Sequence, residues 1–396
     1  FSAASTLTYK SGDHWGPITQ HSIILMVGAV VVVFMHNIPY KWFQVFPVFL
    51  LPLSVVLLAL VMMMERINGA ARWMTFMGVQ FQPSEVAKMA VIIVTAFILS
   101  KGQDEDGASP KAFKRIMIIT GVICLLIAPE NLSTAALLFG VVYLMMFIGR
   151  VAMKKLLILA GGLAGVAIIG ITFLVLTKNS DLPFLHRFDT WRARIEKFTN
   201  DNEVPAAKFD IDKDAQIAHA RIAVAKSHVV GKGPGNSVQR DFLSQAFSDF
   251  IFAIIIEELG LIGGAFVVFL YVCLLIRVGR IAKKCERTFP AFLIIGIALL
   301  LVSQAIFNMM VAVGLAPVTG QPLPLISKGG TSTLINCAYI GMILSVSRYT
   351  ARLEEQKEHD ALIPMQVEAP AEETNSDAQT AADPTAKVLN SDAEFE

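Results

Sequence analysis

Asp249 stands where a polar run ends and an apolar helix begins, in the stretch FLSQAFSDFIFAIIIEELG over Phe242–Gly260. Glu257 and Glu258 follow it about two turns further in. A lone carboxylate at the mouth of an apolar segment can cap a helix or take a proton from a substrate hydroxyl. On one continuous helix Glu257 would lie about 80° and Glu258 about 180° round from Asp249, so the three cannot line one seam. Glu257 and Glu258 are therefore expected to pair with basic groups inside the protein. A cap needs only a serine, and Ser248 is adjacent. An acid beneath a long polar loop is better placed for chemistry.

Three other constellations could join it. In GAARWMTFMGVQFQPSEVAK (Gly69–Lys88), Pro83-Ser84-Glu85 signals a helix start, because proline presets φ and Ser and Glu suit the first turn. Glu85 and Lys88 are then i,i+3 neighbours, either a local ion pair or part of a polar cavity where Lys88 and Arg72 meet an anion. PENLSTA (Pro129–Ala135) reads as a tight hairpin between two apolar runs. VGLAPVTGQPLPLISKGGTSTL (Val313–Leu334) puts three prolines and four glycines between two apolar runs. Irregular backbone there must be buried in protein or line a cavity. Ser327-Lys328-Gly329-Gly330 ahead of a helix has the form of an anion nest, or is a simple connection.

The elements that carry these residues are apolar. The chain has 396 residues, 55% of them hydrophobic and 16% charged, and its mean hydropathy is +0.60. These values place it among polytopic α-helical membrane proteins. Nine apolar spans are expected, near 20–37, 43–64, 86–100, 116–129, 134–149, 156–177, 250–276, 291–312 and 331–347. Lys and Arg crowd alternate loops (Lys101 to Arg115, Arg150 to Lys155, Arg277 to Arg287), which are therefore expected to face the cytoplasm. The long loop at about 178–249, and Asp249 with it, is then extracytoplasmic. Within that loop Ala218, Ile222, Ala225 and Val229 form a stripe at helical spacing, expected to lie on the membrane face. Residues 353–396 are acidic, Ala/Pro/Ser/Thr-rich and nearly free of aromatics, as in a disordered cytoplasmic tail. Cys124, Cys273, Cys285 and Cys337 lack metal or disulfide spacing. A net charge of +1 gives no footing for nucleic acid.

FQPSEVAK, GKGPGNSVQRDFL, SDFIFAIIIEELG, QAIFN and PVTGQPLPLISKGGTS, in this order and spacing, resemble the SEDS family of cell-wall glycosyltransferases (shape, elongation, division and sporulation). The similarity runs from FSAAST to about Arg352, and Gly235-Asn236-Ser237-Val238-Gln239 looks like the division branch rather than the elongation branch. The resemblance implies a transmembrane domain over 1–352, in an all-α bundle of ten transmembrane helices with a large extracytoplasmic loop. Most of the first helix would precede Phe1. It also places the family's essential acid on Asp249, its lysine on Lys88 and its Arg-Trp pair on Arg72-Trp73. The family's usual Glu and His before the acid are absent from Ser244-Gln245-Ala246-Phe247-Ser248, so neither is needed for chemistry here. Gln80 stands where a basic residue is common, and Lys328 replaces a frequent Tyr and could restore the charge. In Pro129-Glu130-Asn131-Leu132-Ser133-Thr134 the family's usual Asp is also missing.

The implied activity is polymerisation of lipid II into β-1,4 peptidoglycan strands on the outer face of the bacterial inner membrane, at the division septum. Inversion at one centre with a diphosphate leaving group needs one base and charge neutralisation, and no opposing acid. Asp249 is the expected base. Arg72, Lys88 and Lys328, with Glu85, Ser327, Gly329 and Gly330 around them, are the expected lipid II diphosphate site. No ligand cluster in the sequence pattern demands a metal or other cofactor, and a divalent cation (Mg or Mn) bridging diphosphate and Asp249 is compatible with it. The implied partners are a class B penicillin-binding protein transpeptidase, other divisome proteins and membrane lipids. A flippase for lipid-linked precursors shares the broken outer loop and buried polar groups. It differs in needing charge along the whole path across the membrane.

Overall fold

The computed structural model describes residues 16–64, 73–76, 79–104, 107–176, 214–243 and 246–367. Arg72, residues 177–213 of the long loop, residues 244–245 and the tail from 368 lie outside the described residues. The chain divides into two units, Phe1–Ala351 and Arg352–Glu396.

The helices are α1 (Gly16–Asn37), α2 (Phe46–Met62), α3 (Pro83–Lys101), α4 (Pro110–Ile148), α5 (Met153–Leu176), α6 (Asp214–Ala225), α7 (Ile251–Lys284), α8 (Thr288–Ala312) and α9 (Gly330–Val367). Two short antiparallel hairpins, 74–76 with 79–81 and 103–104 with 107–108, join α2 to α3 and α3 to α4. The nine expected apolar stretches fall on eight of these helices, with α4 taking two. Six described helices are long and apolar enough to cross a membrane, and two shorter apolar ones, His21–Asn37 and Phe46–Met62, join them. The protein is an all-α, multi-span membrane protein. In the second unit the described residues are the end of α9, which stays helical to Val367.

Helix α3 is the centre of the bundle. Pro83 sits in its first turn as the sequence predicts, and Ala90, Val91, Ile92 and Ile93 are all wholly buried. Four consecutive buried residues cover the full circumference of a helix, so α3 has neighbours on every side. Its far end meets the starts and ends of other helices: Gln103 Nε2 donates to Gly149 O (2.8 Å) and Thr288 Oγ1 to Ser100 O (3.4 Å). Lys101, Lys111, Lys114, Arg115, Arg150, Lys283, Lys284 and Arg287 flank these helix ends in the chain.

Two helices are broken. In α4 a single residue, Asn131 (φ −152°, ψ 79°), reverses the chain. Cys124 Sγ reaches Ala135 O at 3.5 Å, whereas eleven residues of straight helix would separate them by about 16 Å. Asn131 Oδ1 accepts the N–H of Thr134 (3.2 Å) and so caps the returning half. The tight hairpin read from PENLSTA is there, reduced to one residue.

In α7 the break is Gly260 (φ 72°, ψ −171°), so the single span expected over 250–276 is two helices. A Cβ on Gly264 would lie 3.6 Å from the ring of Phe252, twelve residues earlier, so the halves fold back on each other. Backbone groups freed by the break are taken up by residues 228–233. Lys232 N and Gly233 N donate to Glu257 O and Glu258 O (3.0 and 2.8 Å), and Leu261 N and Ile262 N donate to His228 O and Val229 O (3.2 and 3.3 Å). Gly231 and Gly260 touch at this crossing, both at positive φ.

Helix α6 packs through the face opposite the expected stripe. Ala220 and Ala223 are the buried positions, packed with Leu243, Phe250 and Phe252, while Ile222 and Ala225 are exposed. The small Ala face lets α6 approach the first half of α7 closely, which the larger Ile222 would prevent.

A Cβ at Gly260 would stand 2.2 Å from Val229 O. The dihedral alone costs a non-glycine residue about 1–3 kcal/mol. Gly260→Ala is expected to lose most monodisperse protein on detergent size exclusion. Gly161→Ala in α5, where a Cβ meets nothing within 4 Å, is the control and should elute as the parent does.

Candidate functional site

Asp249 lies in the turn 246–250 that leads into α7, half-buried. The N-cap of α7 is Phe250, with no side-chain capping bond. Asp249 Oδ1 accepts the Ser248 hydroxyl at 2.9 Å. The three carbonyls around it all accept bonds from distant residues. Lys328 N donates to Phe247 O (2.8 Å), Ser327 Oγ to Ser248 O (2.6 Å) and Asn308 Nδ2 to Asp249 O (2.9 Å). The acid and the proline-glycine loop, nearly 80 residues apart in sequence, are thus one structure.

The loop is fixed from several directions. Asn308 Nδ2 also donates to Gln321 O (2.8 Å), Gln321 Nε2 to Thr134 Oγ1 (2.5 Å) and Gln304 Nε2 to Pro322 O (3.0 Å). The Tyr271 hydroxyl donates to Pro324 O. Ser327 Oγ accepts from Leu323 N at 2.7 Å. A serine has one hydroxyl proton, and Ser327 gives it to Ser248 O. That bond turns the Ser327 hydroxyl toward the Asp249 turn. Lys328 is exposed, Gly329 O accepts from Thr333 (N and Oγ1, 2.8 and 2.6 Å), and Gly330 opens α9. The first N–H groups of α9 have no partners within the helix, so this end of it suits an anion.

Lys88 is completely buried, paired with Glu85 Oε1 (2.7 Å) and donating to Gln304 Oε1 (3.1 Å). Of the two readings of Glu85 and Lys88, the local ion pair is what the structure contains. Arg72 lies outside the described residues; its neighbour Trp73 leads into the 74–81 hairpin.

Glu257 and Glu258 are both buried and both paired, as the sequence predicts. Glu257 accepts from Lys232 Nζ (2.5 Å), Ser237 Oγ (2.5 Å), Val238 N (3.2 Å) and Gln239 N (3.3 Å). Arg240 Nη1 lies 3.8 Å from Glu258 Oε1 and donates to Gly235 O (3.1 Å). The partners come from the GKGPGNSVQR loop, so these acids pin that loop over the α7 break. Among the described residues no group of three or more His, Cys, Asp or Glu is placed to hold a metal ion.

Gln304 and Asn308 have no place in the residue-by-residue chemistry of the sequence, though QAIFN contains both. The signal was available: two amides at i,i+4 on an otherwise apolar helix share one face, and polar groups in such a helix need internal partners.

The family described as "Cell cycle protein", which unites FtsW, RodA and SpoVE, matches residues 1–352. The chain belongs to this SEDS family. A relative from Halomonas elongata, named "Probable peptidoglycan glycosyltransferase FtsW", is 32% identical over 360 residues, covering 88% of this chain and 86% of its own. One of the same name from Geobacter metallireducens is 32% identical over 358 residues (88% and 89%). Their name agrees with the division branch indicated by Gly235–Gln239. Among solved structures, a chain from "Structural coordination of polymerization and crosslinking by a peptidoglycan synthase complex" superposes with a TM-score of 0.66 at 24% identity, covering 88% of this chain and 95% of that one. The Thermus thermophilus rod shape determining protein RodA gives 0.60 at 23% identity, covering 88% and 92%. At these identities the likeness establishes the fold.

Removing one partner of a buried ion pair strands the other charge, at about 3–5 kcal/mol. Lys88→Met should therefore lower the thermal midpoint sharply, and adding Glu85→Gln should recover much of the loss. If the double variant is no more stable than Lys88→Met, the pair is not what holds this end of α3.

Proposed function

We propose that this protein is a peptidoglycan glycosyltransferase that polymerises lipid II into β-1,4 glycan strands during cell division. The observation that carries the proposal is the joining of the Asp249 turn to the loop bearing Lys328 and the start of α9. A carboxylate and an anion-binding helix end are held side by side, as in-line transfer from a sugar diphosphate requires. Asp249 takes the proton from the 4-hydroxyl of the acceptor GlcNAc while that oxygen attacks C1 of the donor sugar. The C1–O bond to undecaprenyl diphosphate breaks, the configuration inverts, and the leaving diphosphate carries away the bonding electrons. Lys328 and the N–H groups of Gly329 and Gly330 face the charge on the diphosphate, with the buried Glu85–Lys88 pair behind, and Arg72 is the further cation assigned to the diphosphate. A single carboxylate could hold a divalent cation only together with substrate oxygens, and such an ion would add charge neutralisation at the same place.

The same proposal sets the basic loops in the cytoplasm and Asp249 on the outer face of the inner membrane, within a bundle of ten helices. Its partner would be a class B penicillin-binding protein that cross-links the strands, within the divisome. The polymerising and crosslinking complex to which one structural relative belongs supports such an assembly.

Asp249→Asn keeps size and polarity but cannot accept a proton. Strand synthesis from lipid II, followed on gels with purified protein at matched expression, should fall by at least ~10²-fold. Near-parent synthesis would remove Asp249 from the chemistry.

Lys328→Ala should weaken use of the donor more than the acceptor. Loss of a charge-assisted contact costs about 1.5–3 kcal/mol, or roughly 10- to 150-fold in kcat/KM. Unchanged kinetics would make Lys328 a surface residue.

A further inference from the structure

We infer that Asn308 and Ser327 are positioning residues that fix the direction of the Asp249 carboxylate. The inference rests on the proposed role of Asp249 as base. Asp249 sits on neither a strand nor a helix but in a turn, so no regular hydrogen-bond ladder fixes its backbone. Instead the carbonyls of Phe247, Ser248 and Asp249 are each held from outside, at 2.8, 2.6 and 2.9 Å. Two of those three bonds come from side chains, Ser327 Oγ and Asn308 Nδ2.

Asn308 is suited to nothing else. It is 1% exposed on α8, and both protons of its amide nitrogen point at carbonyl oxygens, of Asp249 and Gln321. Its own Oδ1 is buried with no hydrogen-bond partner. Rotating the amide would set Oδ1 against two carbonyl oxygens, so the two acceptors dictate its orientation. A buried amide that leaves its acceptor unpaired is held for its donors. Those donors tie three elements at one atom: α8, the Asp249 turn and the proline-glycine loop. One turn earlier on the same face, Gln304 bonds the loop at Pro322 and the buried Lys88.

Ser327 is the second tie. Its hydroxyl gives its proton to Ser248 O while accepting from Leu323 N, so it closes the loop on itself and onto the turn at once. With Asn308 on one peptide and Ser327 on the adjacent one, the Asp249 Cα–Cβ direction is set by α8 and the loop together. A base displaced by about 1 Å can cost as much as 10²-fold in rate.

The test uses the full chain in nanodiscs with lipid II, and the variants Asn308→Ala, Ser327→Ala, Ser327→Thr and Asp249→Asn. Turnover at saturating lipid II is expected to fall about 10- to 100-fold in Asn308→Ala, and by a smaller factor in Ser327→Ala, with KM within about threefold of the parent. Ser327→Thr, which keeps the hydroxyl, should recover most of what Ser327→Ala loses. Hydrogen–deuterium exchange should quicken in the peptide covering 246–254 and stay at parent rates in α3 and α4. Parent turnover with parent exchange overturns the inference, and so does a rise in KM at unchanged turnover. A fall in turnover accompanied by faster exchange throughout the bundle overturns it too, since that is loss of fold. If Asn308→Ala is not recovered as folded protein, the Ser327→Ala and Ser327→Thr pair decides by the same measures. Parent turnover in Asp249→Asn would instead sink the base assignment. An inactive Asp249→Asn beside a fully active Asn308→Ala would sink only the positioning role.

Discussion

Backbone groups inside a membrane bundle must find partners within the protein, and three breaks among the described residues are local answers to that demand. A continuous helix answers it by itself. Where the chain leaves the helix, something else has to supply donors and acceptors. At Asn131 the side chain of the turning residue caps the returning half. At Gly260 a separate strand of loop, residues 228–233, crosses the break with four backbone bonds. At 247–249 the donors come from a helix face and a proline-glycine loop. The third answer is the most elaborate, and it lies at the residue with the best claim to chemistry. Irregular backbone can aim a side chain in a direction that a helix would not allow.

The buried charges follow from the same demand. Glu257 is wholly buried and accepts four bonds, two from side chains and two from backbone N–H groups. That is near the full capacity of a carboxylate. Its function is to hold Lys232 to Gln239 in the loop that covers the α7 break. Glu85, Lys88 and Gln304 form the equivalent set on the other side of the site, where Gln304 passes the connection on to Pro322. Buried pairs of this kind contribute little net stability against apolar replacements. They fix which loop lies where.

Much of this was legible in the residues. Apolar runs located the helices, Pro83 marked the start of α3, and the geometry of one helix excluded Glu257 and Glu258 from sharing a seam with Asp249. What failed had physical causes. The run at 250–276 carries no proline, and of its glycines, Gly260, Gly263 and Gly264, nothing local singles out Gly260 as the one where the chain reverses. The apolar stripe of Ala218, Ile222, Ala225 and Val229 is readable from spacing, but nothing in it tells that the packed face is the opposite one, Ala220 and Ala223, selected for smallness. Adjacency in Ser327-Lys328-Gly329-Gly330 does not tell that the Ser327 hydroxyl bonds the distant Ser248 carbonyl. Gln304 and Asn308 were visible as amides in an apolar helix, but their partners are carbonyls on distant loops, and no local pattern names a carbonyl.

The distribution of charge bears on what the molecule does across its thickness. The buried charged residues among those described are Glu85, Lys88, Arg240, Glu257 and Glu258. All of them join the Asp249 end, through Gln304 and the loop on one side and through the α7 break on the other. Toward the basic end, α3 and α8 bury Ile92, Ile93, Ala96 and Leu99 against Leu293, Ile294, Ile297 and Leu301. Buried hydroxyls such as those of Thr95 and Thr120 are uncharged exceptions within that region. A carrier moving a sugar diphosphate across the membrane would need compensating charge along its route, because an unpaired ion in such an interior is costly. Here the ionic groups stop near one face and give way to a close-packed apolar interior. That asymmetry favours a substrate that is already at this face and reacts there.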